Sequence, residues 1–267
     1  MKKKERIDVL LVEKGFIGSR EKAKRMIMAG SVLVDDEVVD KPGTKVDTSK
    51  EIRIKGNPLP YVSRGGLKLE KAIEDFGLEL KGKTALDIGA STGGFSDCML
   101  QNGAEKIFAI DVGYGQLDWK IRSDERVVPM DRTNIRHVKF DDIGVLADFV
   151  SIDVSFISLK LVLPVVKELT TEDCEIVALI KPQFEVGKDR VGKKGVVRDI
   201  EDHKQVVQEI YEFSKEIGLY FHNLTYSPVK GAEGNIEYLA YMKKTEEQSL
   251  DIEELLQKVV ENSHKNL

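Results

Sequence analysis

The run Thr84-Ala-Leu-Asp-Ile-Gly-Ala-Ser-Thr-Gly-Gly-Phe-Ser-Asp97 constrains the chain more than any other segment. Apolar residues deliver Asp87, and Gly89, Gly93 and Gly94 then form a tight turn into a helical pattern. Glycines at such a strand-to-helix turn let backbone approach a ligand closely, and the helix start offers unpaired N–H groups. Ser91, Thr92 and Phe95 fall within or beside the turn and join Asp87 and the glycines as candidate ligand contacts. The order is Gly-x-x-x-Gly-Gly, not Gly-x-Gly-x-x-Gly, which disfavours a nicotinamide dinucleotide. Asp111 ends the next apolar run, about 20 residues on, where an acid can bind ribose hydroxyls. Asp131 follows the third run and is a candidate for the adenine side, although a plain turn residue explains it nearly as well.

From residue 63 onward the pattern alternates. Strands are expected at 85–88, 107–110, 127–129, 149–153, 176–180, 219–226 and 237–241, and helices at 66–77, 93–101, 158–169 and 202–217. Alternating βα units predict an α/β, doubly wound, Rossmann-like sheet of seven strands with ligands at the strands' carboxyl ends. No helical pattern separates the last two strands, which predicts an antiparallel hairpin at one edge. Residues 245–267 form an acidic tail, expected to be a solvated helix near 251–261.

The N-terminal part differs in charge. Net charge is −5, which alone argues against a nucleic-acid partner, yet residues 1–60 hold 14 basic and 10 acidic residues while the remainder holds 27 and 36. That asymmetry predicts a basic contact surface on an acidic body. Ile7, Leu10 and Leu11 suggest a first helix; Ser19 caps a second over 20–29, closed by Gly30, with Arg20, Lys24 and Arg25 outward. Residues 31–40 suggest two strands about an acidic turn, and 52–55 a further strand. The expected divisions are a small α+β domain over 1–56, a proline-containing linker over 57–62 and the α/β domain over 63–244. The longest apolar runs are strand-sized, so no membrane span is expected. Cys98 and Cys174 are the only cysteines, which fits a reducing cytoplasm and implies no disulfide framework. Four scattered histidines make no ligand spacing, and no metal is expected.

Arg6-Ile-Asp-x-x-Leu, Ser19-Arg-x-x-Ala23, Ile27 and Gly30-x-Val-x-Val34 resemble the S4 RNA-binding domain. Ser63-Arg-Gly-Gly-Leu-Lys-Leu, Leu86-Asp-Ile-Gly-Ala-Ser-Thr-Gly-Gly-Phe-Ser-Asp, Ser151-Ile-Asp-Val-Ser-Phe-Ile-Ser-Leu and Leu179-Ile-Lys-Pro-Gln-Phe-Glu resemble the FtsJ-like 2′-O-methyltransferases. Together, over about residues 5–242, the chain resembles the TlyA family, also labelled haemolysin A. The resemblance implies S-adenosylmethionine as cofactor and methylation of cytidine ribose 2′-hydroxyls in ribosomal RNA or ribosomal subunits. It also implies a Lys-Asp-Lys-Glu tetrad at Lys68, Asp153, Lys181 and Glu237, with RNA contacts at Arg6, Arg20, Lys24 and Arg25.

The residues support that tetrad unequally. Asp153 and Lys181 each end a buried strand, where an unpartnered charge is costly. Lys68 could equally be a surface lysine, and Glu233 competes with Glu237. Lys181 is the expected general base, with Lys68 nearby to depress its pKa and the two carboxylates opposing that shift. Lys193, Lys194 and Arg198 in a glycine-spaced loop, and Arg64 at the domain junction, are further RNA candidates. Tyr114 and Trp119 could flank a ligand or simply fill the core. A non-enzymatic RNA-binding protein with a vestigial pocket, and a haemolysin, are the competing functions; no spanning helix or amphipathic barrel strand supports the latter.

Overall fold

The computed structural model describes residues 4–14, 16–17, 19–55, 59–192, 195–248, 250 and 252–267. The chain forms two compact units, Met1–Pro60 and Tyr61–Leu267.

The first unit contains β1 (Lys4–Arg6), α1 (Ile7–Glu13), α2 (Arg20–Met28), β2 (Val32–Val34), β3 (Glu37–Val39), β4 (Lys45–Asp47) and β5 (Ile52–Ile54). Ser19 caps α2, its hydroxyl accepting from the Lys22 amide at 3.3 Å. Ile7, Leu10, Leu11, Ala23 and Ile27 bury the helix faces against Val32, Val34, Val46 and Ile52. Asp35 and Asp36 turn the β2–β3 hairpin with φ of 50° and 67°, a left-handed backbone that short polar side chains tolerate. The sheet order is β3-β2-β5, and a separate antiparallel pair joins β1 to β4. That second pair was not expected, because three-residue strands are too short to show a period.

The second unit runs α3 (Gly65–Phe76), β6 (Thr84–Ile88), α4 (Gly94–Gln101), β7 (Lys106–Ile110), α5 (Trp119–Arg122), β8 (Val127–Met130), α6 (Phe140–Ile143), β9 (Ala147–Ile152), α7 (Leu163–Glu168), β10 (Thr170–Ile180), α8 (Pro182–Glu185), α9 (Ile200–Glu216), β11 (Tyr220–Tyr226), β12 (Tyr238–Lys243) and α10 (Glu253–Asn266). Its seven-stranded sheet has the order β11-β12-β10-β9-β6-β7-β8. The strands from β10 to β8 in that order run parallel, and β12 lies antiparallel between β10 and β11. Both faces of the parallel strands are covered, which is why they read as continuous apolar runs rather than alternating ones. Strand β6 has β7 on one side and β9 on the other. The chain's progression reverses there, opening a crevice at the carboxyl ends.

Three local expectations are corrected. The helix expected at 158–169 is a 3-10 turn, Leu159–Leu161, followed by the short α7. Pro164 sits in the first turn of α7, where its missing N–H is not needed. Strand β10 begins six residues before the expected 176. The acidic tail does form a helix, but it is not a solvated one. Leu256, Val259 and Val260 share one face of α10 and, with Ile252 just before it, are buried in the main core, each such burial stabilising by roughly 1.5–3 kcal/mol. Its acids Glu253 and Glu254 occupy the first turn, where the helix dipole favours them. Among the described residues no helix is long and apolar enough to cross a membrane.

Candidate active site

The reversal at β6 brings two turns together. Gly89, just past β6, has φ of 84°, and a Cβ there would lie 2.8 Å from the Asp153 carbonyl carbon and closer still to its oxygen. Only glycine lets the two turns approach so closely. The Asp153 amide donates to the Ile88 carbonyl at 2.8 Å, which fixes Asp153 just beyond β9. Because β12 runs antiparallel to β10, its start lies at the same edge as the end of β10, with Ile180 opposite Tyr238. Glu237 and Lys181 therefore arrive side by side. The buried face of α3 supplies Lys68.

These four side chains form one network. Lys68 Nζ donates to Glu237 Oε2 at 2.7 Å and to Asp153 Oδ2 at 3.5 Å. Lys181 Nζ pairs with Asp153 Oδ1 at 2.5 Å and donates to Ser155 Oγ at 3.0 Å. Lys68 is buried, not a surface lysine, and Glu237 rather than Glu233 joins the network. Burial works against the Lys68 charge, but Asp153 and Glu237 outweigh it and hold its pKa above the ordinary lysine value. A charged Lys68 thus orients two carboxylates. Gln183 Nε2 reaches Glu237 Oε1 at 3.5 Å, while Gln183 Oε1 is buried with no hydrogen-bond partner among the described residues.

Two cavities meet at this network, sharing Gly89, Ser91 and Asp153. The first, about 720 Å³, has apolar walls from Ile88, Ile110, Val112 and Ile135 and polar ones from Asp111, Asn134 and Arg136. The Asp111 carboxylate accepts from the amides of Ser91 at 2.8 Å and Gly113 at 2.7 Å. Each oxygen keeps a free lone pair for a ribose hydroxyl. The second cavity, about 430 Å³, is lined by Arg64, Lys68, Thr92, Gly94, Phe95 and Lys230, among others. An elongated ligand with a nucleoside at one end and an acidic group at the other fits this pair.

Other expected contacts lie elsewhere. Asp87 is fully buried beneath the turn, accepting from Ser96 Oγ at 2.5 Å and Ser151 Oγ at 3.2 Å, and lines neither cavity. Burial pushes its carboxyl up to about 6, against those hydroxyls. Gly93 caps α4 and faces Leu117 and Ile121. Asp131 is ion-paired with Arg122, outside both cavity walls. Tyr114 and Trp119 are not core residues: they are 70% and 77% exposed. Arg198 lines a separate cavity beside α10, and Lys193 and Lys194 lie outside the described residues.

In the first unit, Arg6 and Arg20 both bind the buried Asp8 carboxylate at 2.9 Å. The Arg6 hydrogen bond, helped by Arg20 and opposed by burial, holds Asp8 down to about 2. Lys24 pairs with Glu21, whereas Arg25 is exposed and forms no ion pair among the described residues. Sequence reasoning missed Ser155, Phe156, Gln183, Phe184 and Glu185, although all lie inside the motifs quoted for the α/β domain. Their signal was the motif, not a charge or a period.

The seven-stranded sheet with its crevice at β6 is that of a methyltransferase domain, preceded in the sequence by a small α+β unit, and the comparisons agree. The profile of the FtsJ-like methyltransferases matches residues 61–244 and that of the S4 domain residues 5–52. The chain belongs to the FtsJ-like methyltransferase family and carries an N-terminal S4 domain. It is 41% identical over 251 residues to the 16S/23S rRNA (cytidine-2′-O)-methyltransferase TlyA of Mycobacterium tuberculosis, covering 94% of each chain. YqxC of Bacillus subtilis, provisionally named an rRNA methyltransferase, is 52% identical over 270 residues, covering 99% of this chain and 96% of that relative. A solved Streptococcus thermophilus structure, provisionally described as a hemolysin, superposes with a TM-score of 0.79 at 45% identity, covering 100% of this chain and 98% of its own.

Proposed function

We propose that the protein transfers a methyl group from S-adenosylmethionine to a ribose 2′-hydroxyl of ribosomal RNA, at a cytidine, in assembled subunits. The observation that carries this reading is the Lys68–Asp153–Lys181–Glu237 network, buried except for the half-buried Asp153, at the junction of two cavities. The nucleoside end of the cofactor would lie against Ile110, Val112 and Ile135, with its ribose on Asp111, and its amino-acid end would lie beside Arg64, Thr92 and Gly94. Bound there, the cofactor supplies an electrophilic methyl group.

The protein's own residues then have a ribose hydroxyl to orient and deprotonate. Lys68, kept charged by two carboxylates, is unsuited to take that proton. Lys181 is the remaining amine and serves as general base: as the free amine it takes the hydroxyl proton, Asp153 stabilises the ammonium so formed, and Ser155 sets its direction. Phe156 and Phe184 line the same cavity with ring centroids 4.9 Å apart, an aromatic surface on which an unstacked base can rest. Arg25 and Arg64 are phosphate contacts that position the RNA. The S4 domain and the names of the rRNA methyltransferase relatives support an RNA acceptor, as does the basic excess of residues 1–60.

The test is transfer of labelled methyl from S-adenosylmethionine to 30S and 50S subunits lacking ribose methylation, followed by mapping of the modified sugars. Label on a 2′-oxygen of a cytidine is the expected result. Transfer to neither subunit, or to a base atom, would overturn the reading.

A further inference from the structure

The loop after β9 holds an arrangement that proton removal alone does not require. Phe156 is 90% exposed, lines the first cavity and has φ of 63°, a left-handed backbone that bulky residues rarely adopt unless the surroundings impose it. One short helix imposes it. Lys181, immediately before α8, donates to Ser155 Oγ at 3.0 Å. Glu185, the last residue of α8, accepts from Ser158 Oγ at 2.5 Å and from the Leu159 amide at 2.8 Å. The loop is thus gripped on both sides of Phe156, while Phe184, from the same turn of α8, packs on its ring at 51°. Burial pushes the Glu185 carboxyl up, so placing this acid here is costly, and both its oxygens are given to the loop.

We propose that Glu185 is a positioning residue for the RNA acceptor, holding the 154–159 loop so that Phe156 faces the nucleotide whose ribose is methylated. The inference rests on the function proposed above. It makes recognition of the acceptor depend on a carboxylate that touches neither cofactor nor RNA.

Steady-state methylation of ribosomal subunits by the full chain tests it. Glu185→Ala should raise KM for the subunit about tenfold, the loss of a charge-assisted hydrogen bond, with kcat and cofactor affinity within about twofold of the parent. Glu185→Gln keeps an acceptor for the Leu159 amide and a donor for the Ser158 hydroxyl, and should restore most of the KM. In a Phe156→Ala background, Glu185→Ala should add nothing, because both changes remove one contact. Equal losses in both backgrounds, or weakened cofactor binding by calorimetry, would overturn the proposal. If Glu185→Ala does not fold, Ser158→Ala removes one of the two bonds and carries the same non-additivity test. Absence of methyl transfer by the unaltered chain would refute the proposed function instead; transfer with additive losses would refute only the role of Glu185.

Discussion

Gly231→Ala is a small change with a calculable consequence. Gly231 is not in the left-handed region, so alanine meets no left-handed strain there. A Cβ at that position would instead lie 2.5 Å from Glu237 Cδ and 3.0 Å from Oε2, and closer still to Oε1. The carboxylate must move by about an ångström to restore van der Waals contact at roughly 3.5 Å. Glu237 then loses its 2.7 Å bond from Lys68. A hydrogen bond between charged groups contributes about 1.5–3 kcal/mol, which for a domain of this size lowers Tm by about 3–12 °C. Misplacement on that scale also costs about 100-fold in rate. Calorimetric Tm and kcat/KM for subunit methylation measure the two effects. Glu237→Asp in the Gly231→Ala background shortens the side chain and should recover part of the Tm. A Gly231→Ala protein with unaltered Tm and kcat/KM would refute the idea that Glu237 is held against this glycine.

Other outcomes follow from the same geometry. Lys181→Ala should abolish methyl transfer while cofactor affinity, measured by calorimetry, stays within about threefold, since Lys181 lines neither cavity; full activity would exclude it as the base. Asp87 has a folded pKa raised to about 6. It binds its proton more tightly folded than unfolded, so it costs stability increasingly as pH rises from about 4 through 6. Asp87→Asn should therefore raise the urea midpoint at about pH 7.5 and give no gain near pH 4; an equal gain at both would contradict this. Asp8 behaves oppositely, with a folded pKa lowered to about 2. Its contribution is complete above the unfolded value near 4 and lost as pH falls through about 2. Arg6→Gln should move acid loss of the S4-domain amide signals in NMR to higher pH, and an unchanged midpoint would count against the ion pair.

Much of the second unit was legible because its parallel strands are mostly buried and each is followed at once by a glycine, an aspartate or a lysine. Asp153 and Lys181 stood out as charges terminating apolar runs, and the hairpin at the edge followed from the missing helix between two strands. What escaped reading was set by tertiary partners. Asp87 looked like a ligand contact because it precedes the glycine turn, yet Ser96 and Ser151, 9 and 64 residues away, take its oxygens. Arg6 and Arg20 looked like free cations, and nothing local announces that Asp8 is buried between them. The terminal helix seemed solvated because its acids dominate composition; its buried apolar residues matter only once their common face is seen. Glu185 carried no signal of its own, since its role depends on where the loop after β9 passes.

The placement of β12 sets the order in which the protein can become competent during synthesis. It is the last strand made, yet it belongs in the interior of the sheet, between β10 and β11. Domains form as the ribosome releases them, amino end first. The S4 unit is complete by Pro60, long before Glu237 leaves the exit tunnel. In a nascent chain that unit is therefore finished while β10 still presents an unpaired edge and Lys68 faces only one of its two carboxylates. The first unit is finished early, and the Lys68–Asp153–Lys181–Glu237 network closes only with the final strand.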